Sequence, residues 1–397
     1  MRSFGTFLFA LMMTVVVQGQ EKKTMFSYMS RNNILNHMDI GVGVGTIGIS
    51  IDLAVPVTNY ARIRAGYSYM PPINIHSKFP IGTRSGSIGD MTGKIAMIDN
   101  MLAKYNIDLN SEGFEDFKLM YDKFRNIEVK DYVTLGLKPN MHQFKFLVDV
   151  MPFKRNKHWS LTLGFFVGSP NVGSASNLDE ETPILEAVNA YNKIYADYPA
   201  KGIKGTWLNK GYEDAVNDPF YRYGVAGFPL GKFSDGDLAL MIPSEDATAR
   251  AEMELNKFRP YVGLNYNTHL SRNKKWNLNV DAGVLFICGK PSVYVDNVLK
   301  IDASPLKGYL DENSENFDYV YESGIGIDPY WFNYYGDIVR FNSQTQKYES
   351  CADLRSHVDL MRDLHDMPAG KVRDMVNTIS KLKVYPNLSV TVSYRLY

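Results

Sequence analysis

The chain has no net charge: 43 basic side chains stand against 43 acidic ones in 397 residues. That balance gives no electrostatic reason to expect nucleic acid as a partner. Cysteine is scarce, with only Cys288 and Cys351. Long apolar runs are missing as well. Beyond the first twenty residues no stretch approaches the ~18 residues of a transmembrane helix, and mean hydropathy is −0.23. A helical membrane protein is thereby excluded. A β-barrel is not, because its strands need only about 9–11 residues and half of those face inward.

What the chain has in plenty is aromatic residues, 13% of the total with 26 tyrosines. Barrels use such residues as girdles at the two membrane interfaces. Residues 1–19 have the form of a secretory signal: Arg2, a largely apolar run from Phe7 to Val17, then Val-Gln-Gly as a small-residue cleavage site. An N-terminal periplasmic segment, 20–37, follows. At the other end the alternation is strict from Leu388 onward. Leu388, Val390, Val392, Tyr394 and Leu396 share one face; Ser389, Thr391, Ser393, Arg395 and Tyr397 share the other. A period of two is a strand. Tyr394, Leu396 and Tyr397 are the terminal apolar and aromatic residues with which an outer-membrane barrel closes. The competing reading is a soluble, secreted β-sandwich.

Seven further segments alternate in the same way: 38–45, 48–55, 62–69, 144–151, 159–168, 261–266 and 277–286. The total of eight depends on a tight turn at Thr46-Ile47. If 38–55 were one kinked strand, another would have to be found, with Ser292–Asp296 the candidate. The expected fold is an all-β transmembrane barrel of about eight antiparallel strands, occupying 38–397. Short links (56–59, 152–157, 270–275) alternate with long ones (71–141, 169–257, 288–383), as periplasmic turns alternate with extracellular loops. The long loops carry helical stripes. They are Met97, Ile98, Met101 and Leu102; Phe114, Phe117, Met120, Tyr121 and Phe124; and Ile184, Leu185, Val188, Tyr191 and Tyr195. A fourth runs through Asp353–Leu382. These predict an ordered, partly helical cap over the barrel.

Alternation points Asp39, Asp52, Asp149 and Asp281 inward, together with Arg62, Arg64, Lys145, Arg259 and Arg395. The interior of eight strands is just wide enough for side chains to fill. Charges there must pair, because an unpaired one costs several kcal/mol. Near-balanced signs predict a salt-bridged plug with inward glycines making room for long side chains, rather than an open pore. Cys288 and Cys351 both fall on the extracellular side by strand parity, where a disulfide between them is expected.

Several pieces carry a resemblance. They are Gly45-Thr-Ile-Gly-Ile-Ser-Ile-Asp-Leu-Ala54, Arg64-Ala-Gly-Tyr67, Asp149-Val-Met-Pro-Phe153, Pro260-Tyr-Val-Gly-Leu264, Asp281-Ala-Gly-Val-Leu-Phe286 with Gly289-Lys-Pro291, and Lys383-Val-Tyr-Pro386 with Ser393-Tyr-Arg395. In these the chain resembles a family of small outer-membrane β-barrel proteins of Gram-negative bacteria whose closing strands end in Tyr-Arg-Phe. Here Leu396 takes the phenylalanine position and Tyr397 is added. The resemblance covers the strands, about a quarter of the chain, and implies fold and outer-membrane location. The loops match nothing in it.

No catalytic constellation or cofactor motif is present. Gly41-Val-Gly-Val-Gly45 lies in a strand with no following helix, so it reads as small inward residues. His357, Asp363, His365 and Asp366 could gather on one helix as a metal site or form a solvated surface. Expected partners are outer-membrane lipid, the barrel-assembly machinery, and a partner barrel or surface protein. Two functions compete: a non-enzymatic barrel anchoring a ligand- or partner-binding cap, and a small pore or accessory transport subunit.

Overall fold

A computed structural model describes residues 34–83, 86–88, 91–153, 155–201, 224–301, 339–342, 347–350, 353–368 and 370–396. The segments read as a signal and most of the N-terminal extension lie outside the described residues, as do Cys351 and Tyr397.

Eight antiparallel strands close into a barrel. They are β1 (Asp39–Gly45), β2 (Gly48–Thr58), β3 (Ala61–Tyr69), β8 (His142–Val150), β9 (Trp159–Gly168), β14 (Phe258–His269), β15 (Trp276–Phe286) and β23 (Val384–Arg395). These are the eight alternating segments. The hairpin at Thr46-Ile47 is real, with Gly45 opposite Gly48, so 38–55 is two strands. Gly48 sits at φ +96°, where a side chain would be strained. The turn expected at 56–59 tightens to two residues, because β2 runs on through Pro56 with a register shift between Pro56 and Thr58. A bulge is where a strand tolerates a proline. β23 pairs along its length with β15 on one side and with β1 on the other, so the last strand in sequence closes the cylinder.

The polarity of this barrel is inverted. Its outer surface exposes Val42, Val44, Ile51, Phe144, Leu163, Leu264, Leu388 and other large apolar side chains, while Asp52, Arg64, Thr162, Asn265 and Thr391 are buried inside. At the short-turn end Trp159 packs on Tyr266 and Trp276 on Tyr394, each pair 5.0 Å between ring centres. At the other end Tyr67 packs on Phe144 and Phe165 on Phe258. An apolar belt between two aromatic girdles is the surface of a membrane-spanning barrel. No described helix is long and apolar enough to cross a membrane.

Beyond the rim the wall carries on. A six-stranded sheet runs β4 (Ile75–Pro80), β7 (Tyr132–Pro139), β10 (Asn171–Asn177), β13 (Arg250–Glu254), β16 (Ser292–Val295) and β21 (Val358–Asp359). Its first five members continue β3, β8, β9, β14 and β15 in the same lateral order. A seven-stranded sheet faces it: β6 (Gly86–Ser87), β5 (Gly82–Thr83), β11 (Ala226–Phe233), β12 (Leu238–Met241), β17 (Val298–Ile301) and β20 (Asp353–Arg355), with β22 (Leu364–His365) beside β11. A separate hairpin joins β18 (Val339–Asn342) to β19 (Lys347–Ser350). Helices α1 (Met91–Tyr105), α2 (Glu115–Arg125), α3 (Thr182–Lys201) and α4 (Lys371–Ser380) complete the cap. Phe117, Met120, Tyr121 and Phe124 of α2 and Leu185, Val188 and Tyr191 of α3 share one hydrophobic core with the sheets. Ile98 of α1 belongs to it too, so three of the expected helical stripes contribute to the cap core.

The fourth stripe is corrected. In Asp353–Leu382 only residues 371–380 are helical. Upstream, positive φ at His357 (+58°) and Asp366 (+45°) breaks any helix. There the chain instead supplies β20, β21 and β22 to open sheet edges. Ser292–Asp296 does hold a strand, but it belongs to the cap sheet and not to the barrel wall.

Candidate functional site

The barrel interior is built in layers. Nearest the short turns, Arg395 donates from Nε to Asp39 Oδ1 at 3.0 Å, across the seam between β23 and β1. The middle layer centres on Asp149. Arg62 donates to Asp149 from Nε at 2.9 Å and Nη2 at 2.7 Å. Arg64 adds Nη2 to Asp149 Oδ1 at 2.9 Å and grips both oxygens of Asp281 at 2.7 Å. Thr162 donates to Asp149 at 2.7 Å, and Asn265 and Asn279 accept from Arg62 at 3.3 and 3.1 Å. A third pair joins Lys145 to Asp52 at 2.7 Å. Asp52, Gly66 and Lys145 lie opposite one another on β2, β3 and β8. A Cβ on Gly66 would sit 2.0 Å from Asp52 Oδ1, so that glycine is what admits the pair.

Bidentate guanidinium–carboxylate contacts in a dry interior are short, directional and roughly twice as strong as neutral hydrogen bonds. Their net stability is modest, because desolvation offsets much of the attraction. Their effect is geometric. Side chains from β2, β3, β8, β9, β14 and β15 are tied together across the lumen.

Arg259 does not join this network. It is 2% exposed and donates to the Gln143 amide oxygen at 3.0 Å and the Ser169 carbonyl at 2.8 Å. It sits near the cap end of β14, where the inward face turns apolar. There Leu147, Phe166, Tyr261 and Leu285 meet Ile47, Met141, Val172, Leu255 and Ile287 in one buried cluster. Phe166 packs edge-on to Tyr261 at 5.5 Å. This apolar layer caps the polar one.

Above it the sheets enclose a cavity of about 290 Å³. Its floor is the inner face of the six-stranded sheet, including a rung Ile75–Leu137–Ala175–Ala251–Val295 across five strands. Bulk is missing from the middle of that rung, since two alanines occupy its centre and Gly173 lies beside them. The roof is Phe228, Leu230 and Met241 from β11 and β12, with Val372, Met375 and Ile379 of α4. Protein interiors are otherwise close-packed.

Of the residues singled out in the sequence, Asp39, Asp52, Arg62, Arg64, Lys145, Asp149, Asp281 and Arg395 come together as ion pairs. Alternation missed the neutral partners Thr162, Asn265, Asn279 and Gln143, although the same period places each of them inward. Cys288 carries a free thiol; Cys351 lies outside the described residues, and with it the expected disulfide. His357 stacks on Tyr294 at 3.9 Å, and His365 pairs into β22. No group of three or more metal-ligating side chains occurs among the described residues. In the cap, burial and a hydrogen bond to Asp99 raise the Tyr121 hydroxyl above its ordinary pKa.

No family model and no curated protein matches the sequence. Among solved structures, two CarO proteins of Acinetobacter baumannii align over 90% of this chain and 98% and 96% of their own. They share 9% identity with it, at TM-scores of 0.33 and 0.32. A major outer membrane protein from Thermus thermophilus aligns over 91% of this chain and 98% of its own, at 9% identity and a TM-score of 0.26. The membrane reading itself rests on the inverted polarity, the two girdles and the closed cylinder. The chain is an outer-membrane β-barrel protein.

Proposed function

We propose that the barrel is a non-conducting, non-enzymatic anchor, and that the working part of the molecule is the cap it holds outside the cell. The observation that carries this reading is the double closure of the lumen, by the ion-paired layer around Asp149 and then by the apolar layer of Leu147, Phe166, Tyr261 and Leu285. A pore needs a wetted path, and eight strands leave none once these side chains fill the interior. Strand parity supports the orientation: the β2–β3, β8–β9 and β14–β15 turns lie at one end, and the whole cap lies at the other, beside the tight β1–β2 turn. Continuity between wall and cap sheet supports a ligand- or partner-binding role, since a site on strands that extend the barrel is rigidly held. Labelling on intact cells tests it. A cysteine placed at exposed Ser234, in the β11–β12 hairpin, is expected to react with a membrane-impermeant maleimide. One at exposed Asn273, in the β14–β15 turn, is expected to react only after the outer membrane is broken. The reverse pattern refutes the orientation and with it the anchor reading.

A further inference from the structure

The cap cavity has a chemistry of its own, distinct from the lumen. Its lining is mostly aliphatic and thioether side chains with two phenylalanines, Phe79 and Phe228; the polar side chains of the lining, Lys138, Ser174 and Glu252, are all exposed. No polar side chain of the lining is buried, so the interior offers no side-chain hydrogen bond to a sugar, a peptide backbone or an ionised group, each of which would lose its water uncompensated there. At about 290 Å³ it has roughly twice the volume of a ~150 Å³ apolar cavity that holds benzene, and lies near the ~300 Å³ lower end of small-molecule sites. Met241, Met253 and Met375, one each from roof strand, floor and roof helix, are unbranched and adapt to irregular guests.

The hollow is built in. Ala175 and Ala251 are partners across β10 and β13, flanked by Leu137 and Val295 in register. A larger apolar residue at either alanine would close it. It is also reachable. Ile75, on the edge strand β4 and part of the lining, is 54% exposed, and Ile73 just before it is 56% exposed. They follow Tyr69, the last lipid-facing residue of β3. Exposed apolar side chains thus recur between the end of β3 and the edge of the cavity. Isolated exposed apolar residues are ordinary; here one of them, Ile75, also lines the hollow.

Building on the anchor reading above, we infer that the cavity binds a single acyl chain, taken up along the Tyr69–Ile73–Ile75 edge. Two sources share that chemistry, a free fatty acid and the tail of an outer-leaflet lipid. The full chain, reconstituted in nanodiscs of defined phospholipid, is titrated with radiolabelled medium-chain fatty acid against empty nanodiscs. Saturable binding near one per chain is expected, lost in Ala251→Trp and weakened at least tenfold in Ile75→Asp. Each variant is checked for the heat-dependent gel shift of a folded barrel. Mass spectrometry of an organic extract of the wild-type protein, purified from native membranes, separates the sources: a stoichiometric fatty acid indicates the free acid, a phospholipid or lipid A the leaflet. This arm needs no variant to fold. Wild-type protein that neither binds the fatty acid above the empty-disc level nor yields an acyl species overturns the proposal, as does undiminished binding in folded Ala251→Trp. The anchor reading would survive that result, since the labelling of cysteines at positions 234 and 273 decides it separately.

Discussion

Replacing Asp149 by alanine is the most informative single perturbation of the lumen. Asp149 is fully buried and accepts from Arg62, Arg64 and Thr162. Its removal leaves Arg62 with only Asn265 and Asn279 and Arg64 with only Asp281. Breaking one side of a buried pair costs about 3–5 kcal/mol, because the remaining charge is stranded in a low dielectric. The expected loss for Asp149→Ala is therefore at least ~3 kcal/mol. Adding Arg62→Met to that background removes a stranded guanidinium and should restore part of the loss. The coupling energy of such neighbours falls in the range of about 0.5–3 kcal/mol. Urea unfolding in phospholipid vesicles, followed by the gel-mobility shift and tryptophan fluorescence, gives both numbers. A loss under ~1 kcal/mol for Asp149→Ala with strict additivity would refute the reasoning, since it would mean the charges are individually hydrated.

Other consequences follow from single contacts. Gly66→Val places a side chain where Asp52 Oδ1 and Lys145 meet and should destabilise the barrel by roughly 3 kcal/mol, read in the same assay; a neutral outcome contradicts the packing. Deleting Leu388–Tyr397 removes most of the pairing of β23 with both β1 and β15 and should abolish insertion while leaving export intact, as fractionation would show. His37, just ahead of β1, has its pKa lowered from 6.5, first by burial and then by Arg395. The folded state thus binds fewer protons than the unfolded state as pH falls through 6.5, so stability should decline there and level off below the folded pKa. His37→Gln should flatten that part of the pH profile of unfolding.

The barrel was legible in the sequence because one face of each strand meets lipid and the other meets charge. The period of two is imposed on every residue, as in Ser389–Leu396. Even the lumen pairs follow from it, since facing inward in eight strands leaves an arginine nowhere else to go. The cap was legible only in its helices. Its strands are short, and β11 is interrupted by Gly227, Pro229 and Gly231, which reads as loop. Leu354, Val358, Met361 and Leu364 have helical spacing, yet Leu354, Val358 and Leu364 lie in short paired strands and Met361 in a turn, because tertiary pairing outweighs a weak stripe in a segment broken at His357. Arg259 was assigned to the charge network on alternation alone. Alternation fixes the face of a strand and not the depth along the barrel, and at that depth the neighbours are apolar. The cavity left no mark, since Ala175 and Ala251 are ordinary alanines until registered against each other.

Planar-bilayer recording of the purified, folded protein tests the central claim most directly. The proposed sealing of the lumen predicts a flat baseline at applied voltage, with no steady unitary current. Reproducible single-channel steps from the wild-type protein would contradict it.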